Sequence, residues 1–471
     1  MKLYRESKGY KLYHGNMLDM ASVIEPNSID SIVTDPPYEL NFMGKGWDNA
    51  GVSFNKDTWK RCFDVLKPGG YLLAFGGSRT FHRIACAIED AGFEIRDTIM
   101  WIYGSGFPKS MNIGLAVDKK NGVESPVVGV SNRGAGASPQ KLDNHTKGDT
   151  GIGMLDGSGK TFEIKEPQNE WKGWGTCLKP AFEPIIIARK PFSGSLVDNV
   201  LEYGVGGLNI DECRVGEGAK KWSKPKGGIW NPSVDNGAVL EDNPLGRFPA
   251  NVVLTYDESD YNEVCGGFPS TGSGNNGKPY NYAGKEYHNK DTSMFNGDKP
   301  KAPSNYNDNG SASRYFYCAK ASKKDRNEGL DAFEDKFKPA TEYRPFLMRE
   351  AEQGKTEHNA FLRLGKVKNN HPTVKPTELM QYLVRLVTPN GGTVLDPFNG
   401  SGSTGKAVMY ENVERDKGYT YIGIELTEDY LPISKARIDY ASNQVREKCE
   451  EPIKKTVEKC ESNELTQVGL W

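Results

Sequence analysis

No run in the 471 residues approaches the length of about 18 apolar residues that a membrane-spanning helix needs. The opening residues, Met-Lys-Leu-Tyr-Arg-Glu, lack the apolar stretch of a signal peptide, so the expected location is the cytoplasm. The eight cysteines include no Cys-x-x-Cys pair and no His-x-x-x-His accompanies them, which excludes zinc-finger spacing and favours reduced thiols. Excess charge is also missing. Sixty Lys and Arg against 62 Asp and Glu leave a net charge of −2, unlike a bulk polyanion binder. Any nucleic-acid contact must then come from local basic clusters. Apolar residues make up only 37%, and 53 glycines and 27 prolines imply much loop, although the chain is long enough for two or three domains' worth of core.

Against this background, Thr34-Asp-Pro-Pro-Tyr38 stands out. The preceding run 28–34, Ser-Ile-Asp-Ser-Ile-Val-Thr, is β-branched and alternating, the pattern of a short buried strand. Pro36 and Pro37 stop the ladder because neither has an N–H and each fixes its own φ. Asp35 and Tyr38 are thereby held on a stiff turn at the carboxyl end of a strand, where open α/β sheets bind ligands. Such a turn suits a planar ring bearing an exocyclic amine. The ring stacks on Tyr38, while Asp35 and the Pro36 carbonyl accept the two amine hydrogens. A plain strand-closing Pro-Pro turn explains the same five residues equally well.

A second stretch shifts that balance. Residues 393–405, Thr-Val-Leu-Asp-Pro-Phe-Asn-Gly-Ser-Gly-Ser-Thr-Gly, read as a strand, a glycine-rich turn and a helix start. Gly400, Gly402 and Gly405 match G-x-G-x-x-G, and Glu425 ends a further strand, where an acid binds ribose hydroxyls. A dinucleotide would fit this much. Asp396 and Phe398 at the head of the turn, however, suit a ligand with an ammonium at one end and a nucleoside at the other, such as S-adenosylmethionine.

Together, Asp-Pro-Pro-Tyr and Asp-Pro-Phe-Asn-Gly-Ser-Gly resemble the motifs of the amino-group DNA methyltransferases, which modify adenine N6 or cytosine N4. The catalytic motif precedes the cofactor motif, an order similar to the family's β group. Lys67-Pro-Gly-Gly70, Lys179-Pro-Ala-Phe-Glu-Pro184 and His371-Pro-Thr-Val-Lys-Pro376 extend the likeness over about 1–190 and 365–445. The resemblance implies a doubly wound, mostly parallel α/β sheet of Rossmann-like methyltransferase type with permuted motifs and a large irregular target-recognition insertion. It implies Asp35, Pro36, Pro37 and Tyr38 as catalytic residues. Asn16, Lys375, Asp396, Phe398, Asn399, Gly400, Gly402 and Glu425 are implied as the cofactor set, with no metal. Asn16 stands where the family has an aspartate that meets the cofactor's adenine; an Asx turn capping the next helix is the competing role. The implied partner is double-stranded DNA, with a homodimer left open, in a prokaryotic or phage-encoded modification enzyme of the restriction–modification kind.

Adenine N6 is the expected target, because Asp at position 35 is commoner among the adenine enzymes; cytosine N4 is the alternative. No Pro-Cys dipeptide occurs, which argues against cytosine-C5 chemistry. The other readings are a protein glutamine methyltransferase, a non-catalytic DNA-binding subunit and an NAD enzyme.

The expected layout is a catalytic half at 1–194 with an insertion at 104–178, a target-recognition region at 195–365, a cofactor half at 366–441 and a charged tail at 442–471. Helices are expected at 57–66 and 80–91, with Pro68-Gly-Gly70 ending the first and a strand at 71–76. Strands are expected at 93–103 and 182–189, the latter antiparallel. Residues 39–49, including Trp47, read as a loop over the site. The run 270–313, with Tyr280, Tyr282, Tyr287 and Tyr306, and the cluster Arg314, Lys320, Lys323, Lys324 and Arg326 suit phosphate and base contacts. Thr377 is expected to cap a helix, and a last helix begins near Glu428.

Overall fold

The structure, a computed structural model, describes residues 1–40, 51–103, 110–131, 162–215, 219–222, 240–243, 246–255, 316–317, 321–334, 336–337 and 366–443. Trp47, the tyrosines of 270–313, Arg314, Lys320 and the tail from 444 lie outside the described residues. Ten strands form one sheet: β1 (Lys2–Ser7), β2 (Tyr10–His14), β3 (Ile29–Thr34), β4 (Leu66–Phe75), β5 (Glu94–Tyr103), β6 (Phe182–Arg189), β7 (Val252–Thr255), β8 (Phe316–Tyr317), β9 (Thr393–Asp396) and β10 (Thr420–Glu425). Their spatial order is β1-β2-β10-β9-β3-β4-β6-β5-β7-β8. All neighbours run parallel except at β1, which is antiparallel to β2, and at β6, which is antiparallel to both β4 and β5.

The strands read as β-branched runs because both faces are covered. Ile32, Leu72, Ala74 and Leu395 point to one side, where α1 (Lys56–Val65) and α2 (Phe81–Asp90) pack through Trp59, Cys62 and Ile84. Val33, Leu73, Phe75 and Val394 point to the other side. There they meet Leu379 and Leu383 of α6 (Thr377–Val387), Val408 of α7 (Ser403–Arg415) and Ile438 of α8 (Leu431–Ser442). Among the described residues the remaining α-helices are α3 (Ile113–Lys120), α4 (Leu196–Tyr203) and the short α5 (Lys323–Asn327). Strands β3 and β9 lie side by side, yet the chain leaves β3 towards β4 and leaves β9 towards β10. The winding therefore reverses between them, which opens a crevice at their carboxyl ends. The expected doubly wound sheet is present.

Several expectations need correction. Pro68, Gly69 and Gly70 do not separate α1 from the next strand: β4 already begins at Leu66. Gly69 takes φ +81 at the start of β4, beside an irregularity between Ile29 and Ser31 in the register with β3, so the strand kinks without ending. The stretch 195–365 is not wholly a separate recognition region. Strands β7 and β8 extend the main sheet, α4 lies on β4 through Asn199, and residues 321–334 pack on α7 and α8. Thr377 is the first residue of α6 and not its cap; the Asp325 carboxylate accepts from Thr377 N. Arg326, counted in the basic cluster, donates to the carbonyl of His371 instead of facing outward for phosphate. A 3₁₀ turn, Glu428–Tyr430, precedes α8. Among the described residues no helix is long and apolar enough to cross a membrane, and no group of three or more His, Cys, Asp or Glu could hold a metal ion.

Candidate active site

The turn after β3 and the turn after β9 share the crevice. Thr34 Oγ1 donates to Asp396 Oδ1 at 2.7 Å, bridging residues 362 positions apart in sequence. Asp35, the next residue along, lies close enough for its charge to act on Asp396. Asp35 Oδ2 accepts from Lys375 Nζ at 2.7 Å. Asp35 Oδ1 is buried and, among the described residues, has no hydrogen-bond partner. A buried acceptor left open in this way is costly unless something visits it. The Pro37 carbonyl is taken by Ser53 Oγ at 2.6 Å, whereas among the described residues no donor reaches the Pro36 carbonyl. Asp35 and Pro36 therefore present two acceptors side by side.

Tyr38 is half-buried, and its hydroxyl donates to Glu183 Oε2 at 2.8 Å. Tyr103 donates to the other oxygen of Glu183 at 3.3 Å, and Lys375 Nζ lies 3.4 Å from Glu183 Oε2. Glu183 thus fixes both the aromatic of the turn and the lysine paired with Asp35. Sequence reasoning placed Glu183 only in a matched motif; its position at the end of a strand antiparallel to β4 was the available signal. Lys375 was expected on the cofactor, but its ammonium turns to Asp35 and Glu183, 4.9 Å from the Phe75 ring centroid and 5.3 Å from that of Tyr38. Burial works against its charge, but the two carboxylates dominate and leave its pKa raised. Glu39 accepts from Gly51 N and Ser53 N, pinning both flanks of residues 41–50.

The glycine-rich turn has a different character. Asp396 is buried and accepts from Thr34, from Thr404 Oγ1 at 2.6 Å and from Phe398 N at 3.1 Å. Burial still outweighs these bonds and pushes its carboxyl up to about 6. Glu425 accepts from Gly400 N and Thr427 N, both at 2.7 Å, and burial raises its pKa as well. Neither acid has an ion-pair partner among the described residues. The pair forms a carboxylate-lined rim suited to a cationic ligand.

Other members of the expected cofactor set do internal work. Asn399 faces inward: its side chain donates to Ser434 Oγ at 2.9 Å and accepts from Tyr421 OH at 2.8 Å, so it locks the turn onto α8 and β10. Asn16 Oδ1 accepts from Leu18 N at 3.0 Å and caps a 3₁₀ turn, the role of an Asx turn. Its backbone neighbour Gly15 nonetheless donates to the Glu425 carbonyl, which brings this turn beside the rim. Phe398 is half-buried, 6.5 Å from the Trp59 ring. Gly400 and Gly402 have φ of +50 and +74, and a Cβ there would lie 2.9 Å from His371 and 2.5 Å from Ser434. Close protein packing alone thus requires glycine at both positions.

The chain matches the family model described as DNA methylase over residues 29–123 and 178–436. It is 20% identical to the type II methyltransferase M.HindIII of Haemophilus influenzae over 240 residues, 42% of this chain and 64% of that protein. It is 36% identical to the DNA adenine methyltransferase YhdJ of Escherichia coli over 74 residues, 16% of this chain and 23% of that protein. The chain thus spans less than two thirds of either relative. Among solved structures, the cytosine-N4-specific PvuII DNA methyltransferase superimposes at a TM-score of 0.38 with 13% identity, covering 94% of this chain and 95% of that one. Adjoining acceptors at the switch point and the long family match lead to one conclusion: the chain belongs to the N6/N4 DNA methylase family.

Proposed function

We propose that the chain transfers a methyl group from S-adenosylmethionine to the exocyclic N6 amine of an adenine flipped out of double-stranded DNA at a specific site. The observation that carries the reading is the buried Asp35 Oδ1, unpartnered among the described residues, beside the Pro36 carbonyl. An aromatic amine is a poor nucleophile because its lone pair is delocalised into the ring. Two acceptors placed on its hydrogens draw the nitrogen towards tetrahedral geometry and stabilise the positive charge that grows on it. Tyr38 offers a ring face to the base, and Glu183 holds that ring in place. Lys375 keeps the second Asp35 oxygen occupied, so the open oxygen has one direction in which to act.

The cofactor fits the donor set of the second turn: Asp396 and Glu425 are desolvated acids without a cationic partner among the described residues, and the cofactor carries both an ammonium and a sulfonium. Asp396, Phe398 and Gly400 would hold its amino-acid end, and Glu425 and Asn16 its nucleoside end. When bound it supplies an electrophilic methyl. Asp35 and the Pro36 carbonyl would position the amine to receive that methyl, and the methylated amine would then release its proton to solvent. The same acceptors would serve cytosine N4; the name of the relative YhdJ favours adenine.

Mass spectrometry of nucleosides from DNA incubated with the protein and S-adenosylmethionine tests the reading. N6-methyl-2′-deoxyadenosine with the wild type and none with Asp35→Ala is the expected result. N4-methylcytosine, or no methylated base, overturns it.

A further inference from the structure

The 369–376 strap delivers Lys375 to Asp35, and something must hold the strap. Its far end is Thr377, whose N and Oγ1 both donate to the Asp325 carboxylate, at 3.1 and 2.5 Å. Its near end is His371, whose carbonyl accepts from Arg326 Nη2 at 3.1 Å. Two consecutive residues of α5 therefore bracket the strap on either side of Lys375. The Arg326 carbonyl also accepts from Asn369 Nδ2 at 2.9 Å, and Asn369 Oδ1 accepts from His371 N. Without this bracket the strap has few regular backbone bonds of its own.

The bracket is itself anchored. Lys406, fully buried on α7, lies 2.6 Å from Asp325 Oδ1 and 2.8 Å from Glu328 Oε2. The Asp325 carbonyl accepts from Lys406 Nζ and from Arg437 Nη2, and Arg437 Nη1 reaches the Ser401 carbonyl at 2.8 Å inside the glycine-rich turn. Gly329, at φ +80, allows the segment to press against Ala436 and Tyr440 of α8, where a Cβ would lie 2.6 Å from either. Leu330 is fully buried with Tyr430 and Ile433. Residues 321–334 therefore touch both halves of the site without entering the crevice.

We infer that Asp325 and Arg326 are positioning residues that act through Lys375: they fix the strap so that its ammonium is held against Asp35. This rests on the proposed methyl transfer for its consequence in turnover, but its structural core can be tested without activity. A buried, ion-paired lysine resists acylation because it is both desolvated and protonated. In the full-length protein, acetic anhydride labelling read by mass spectrometry should leave Lys375 protected, while exposed Lys60 labels freely. Arg326→Ala leaves the Asp325–Lys406 pair intact and should raise Lys375 labelling about tenfold with Lys60 unchanged. Arg326→Lys should restore part of the protection. Asp325→Asn alone leaves the buried Lys406 charge with one carboxylate, Glu328, in place of two. The paired change Asp325→Asn with Lys406→Met removes both charges of that pair, Glu328 keeping the Tyr410 hydroxyl as donor, and should expose Lys375 in the same way. Unchanged protection of Lys375 in both variants overturns the inference.

Turnover supplies the second readout. Arg326→Ala should lower kcat about tenfold or more with little change in KM. On a Lys375→Met background the same substitution should cost less than about twofold, because its route of action is gone. Equal losses on both backgrounds overturn the inference. A wild type that methylates no DNA would defeat the proposed function while the labelling result stands by itself.

Discussion

The two turns that meet in the crevice differ in how their polar atoms are satisfied. After β3, prolines remove donors and Asp35 Oδ1 stays open among the described residues, with a lysine on the other oxygen. After β9, almost every polar atom is answered from within: Asp396 by two threonines and a backbone N–H, Asn399 by Ser434 and Tyr421, Glu425 by Gly400 and Thr427. The first turn is left incomplete for a transient visitor. The second is a finished cradle whose remaining deficit is positive charge. An open acceptor serves a step in which charge develops, whereas a preformed acidic rim serves a ligand that arrives charged.

This contrast predicts that damage to the first turn appears in turnover and damage to the second in cofactor binding or stability. Apart from Asp35 itself, the largest effect is expected at Glu183. Glu183→Ala frees Tyr38 and removes one partner of Lys375, and should lower kcat about a hundredfold while cofactor affinity, measured by calorimetry, changes little. Gly402→Ala should reverse that pattern. Its φ of +74 and the Cβ contact with Ser434 should cost about 2 kcal/mol in denaturant unfolding.

A pH series sharpens the comparison further. In the folded chain Asp396 holds its proton up to about pH 6, against 3.8 when unfolded, so on its account stability falls as pH rises between those values. A cationic cofactor favours the ionised form. Its affinity should therefore rise about tenfold from about pH 5 to about pH 7, and Asp396→Asn should flatten that rise. The smallest effect is expected at Asn16. Asn16→Ala removes the cap on Leu18 N and should cost about 1 kcal/mol of stability, read from the midpoint of urea unfolding.

Both turns were legible in the sequence because local rules write them: prolines end β3, and glycines with positive φ shape the chain after β9. Their meeting was legible only through the order of the motifs. What stayed hidden depends on partners far away along the chain. Lys375 reads as a cofactor contact in the His371–Pro376 motif until β3 and β6 put Asp35 and Glu183 opposite it. Asp325 sits in a run of charges, Lys-Lys-Asp-Arg-Asn-Glu, whose pattern resembles a solvated face. Only the fold shows that Lys406 and Thr377 lie over it. Strands β7 and β8 escaped notice for another reason. Four and two residues carry too little alternation to stand out, and their place at the sheet edge is decided by pairing, β7 with β5 and β8 with β7.

The most direct test is a single-turnover measurement with radiolabelled S-adenosylmethionine on Asp35→Asn, which keeps the size of the side chain and replaces one acceptor oxygen with a donor. The account predicts cofactor binding within a few-fold of wild type and methyl transfer slowed by about a thousandfold or more. Transfer within about tenfold of wild type would contradict it.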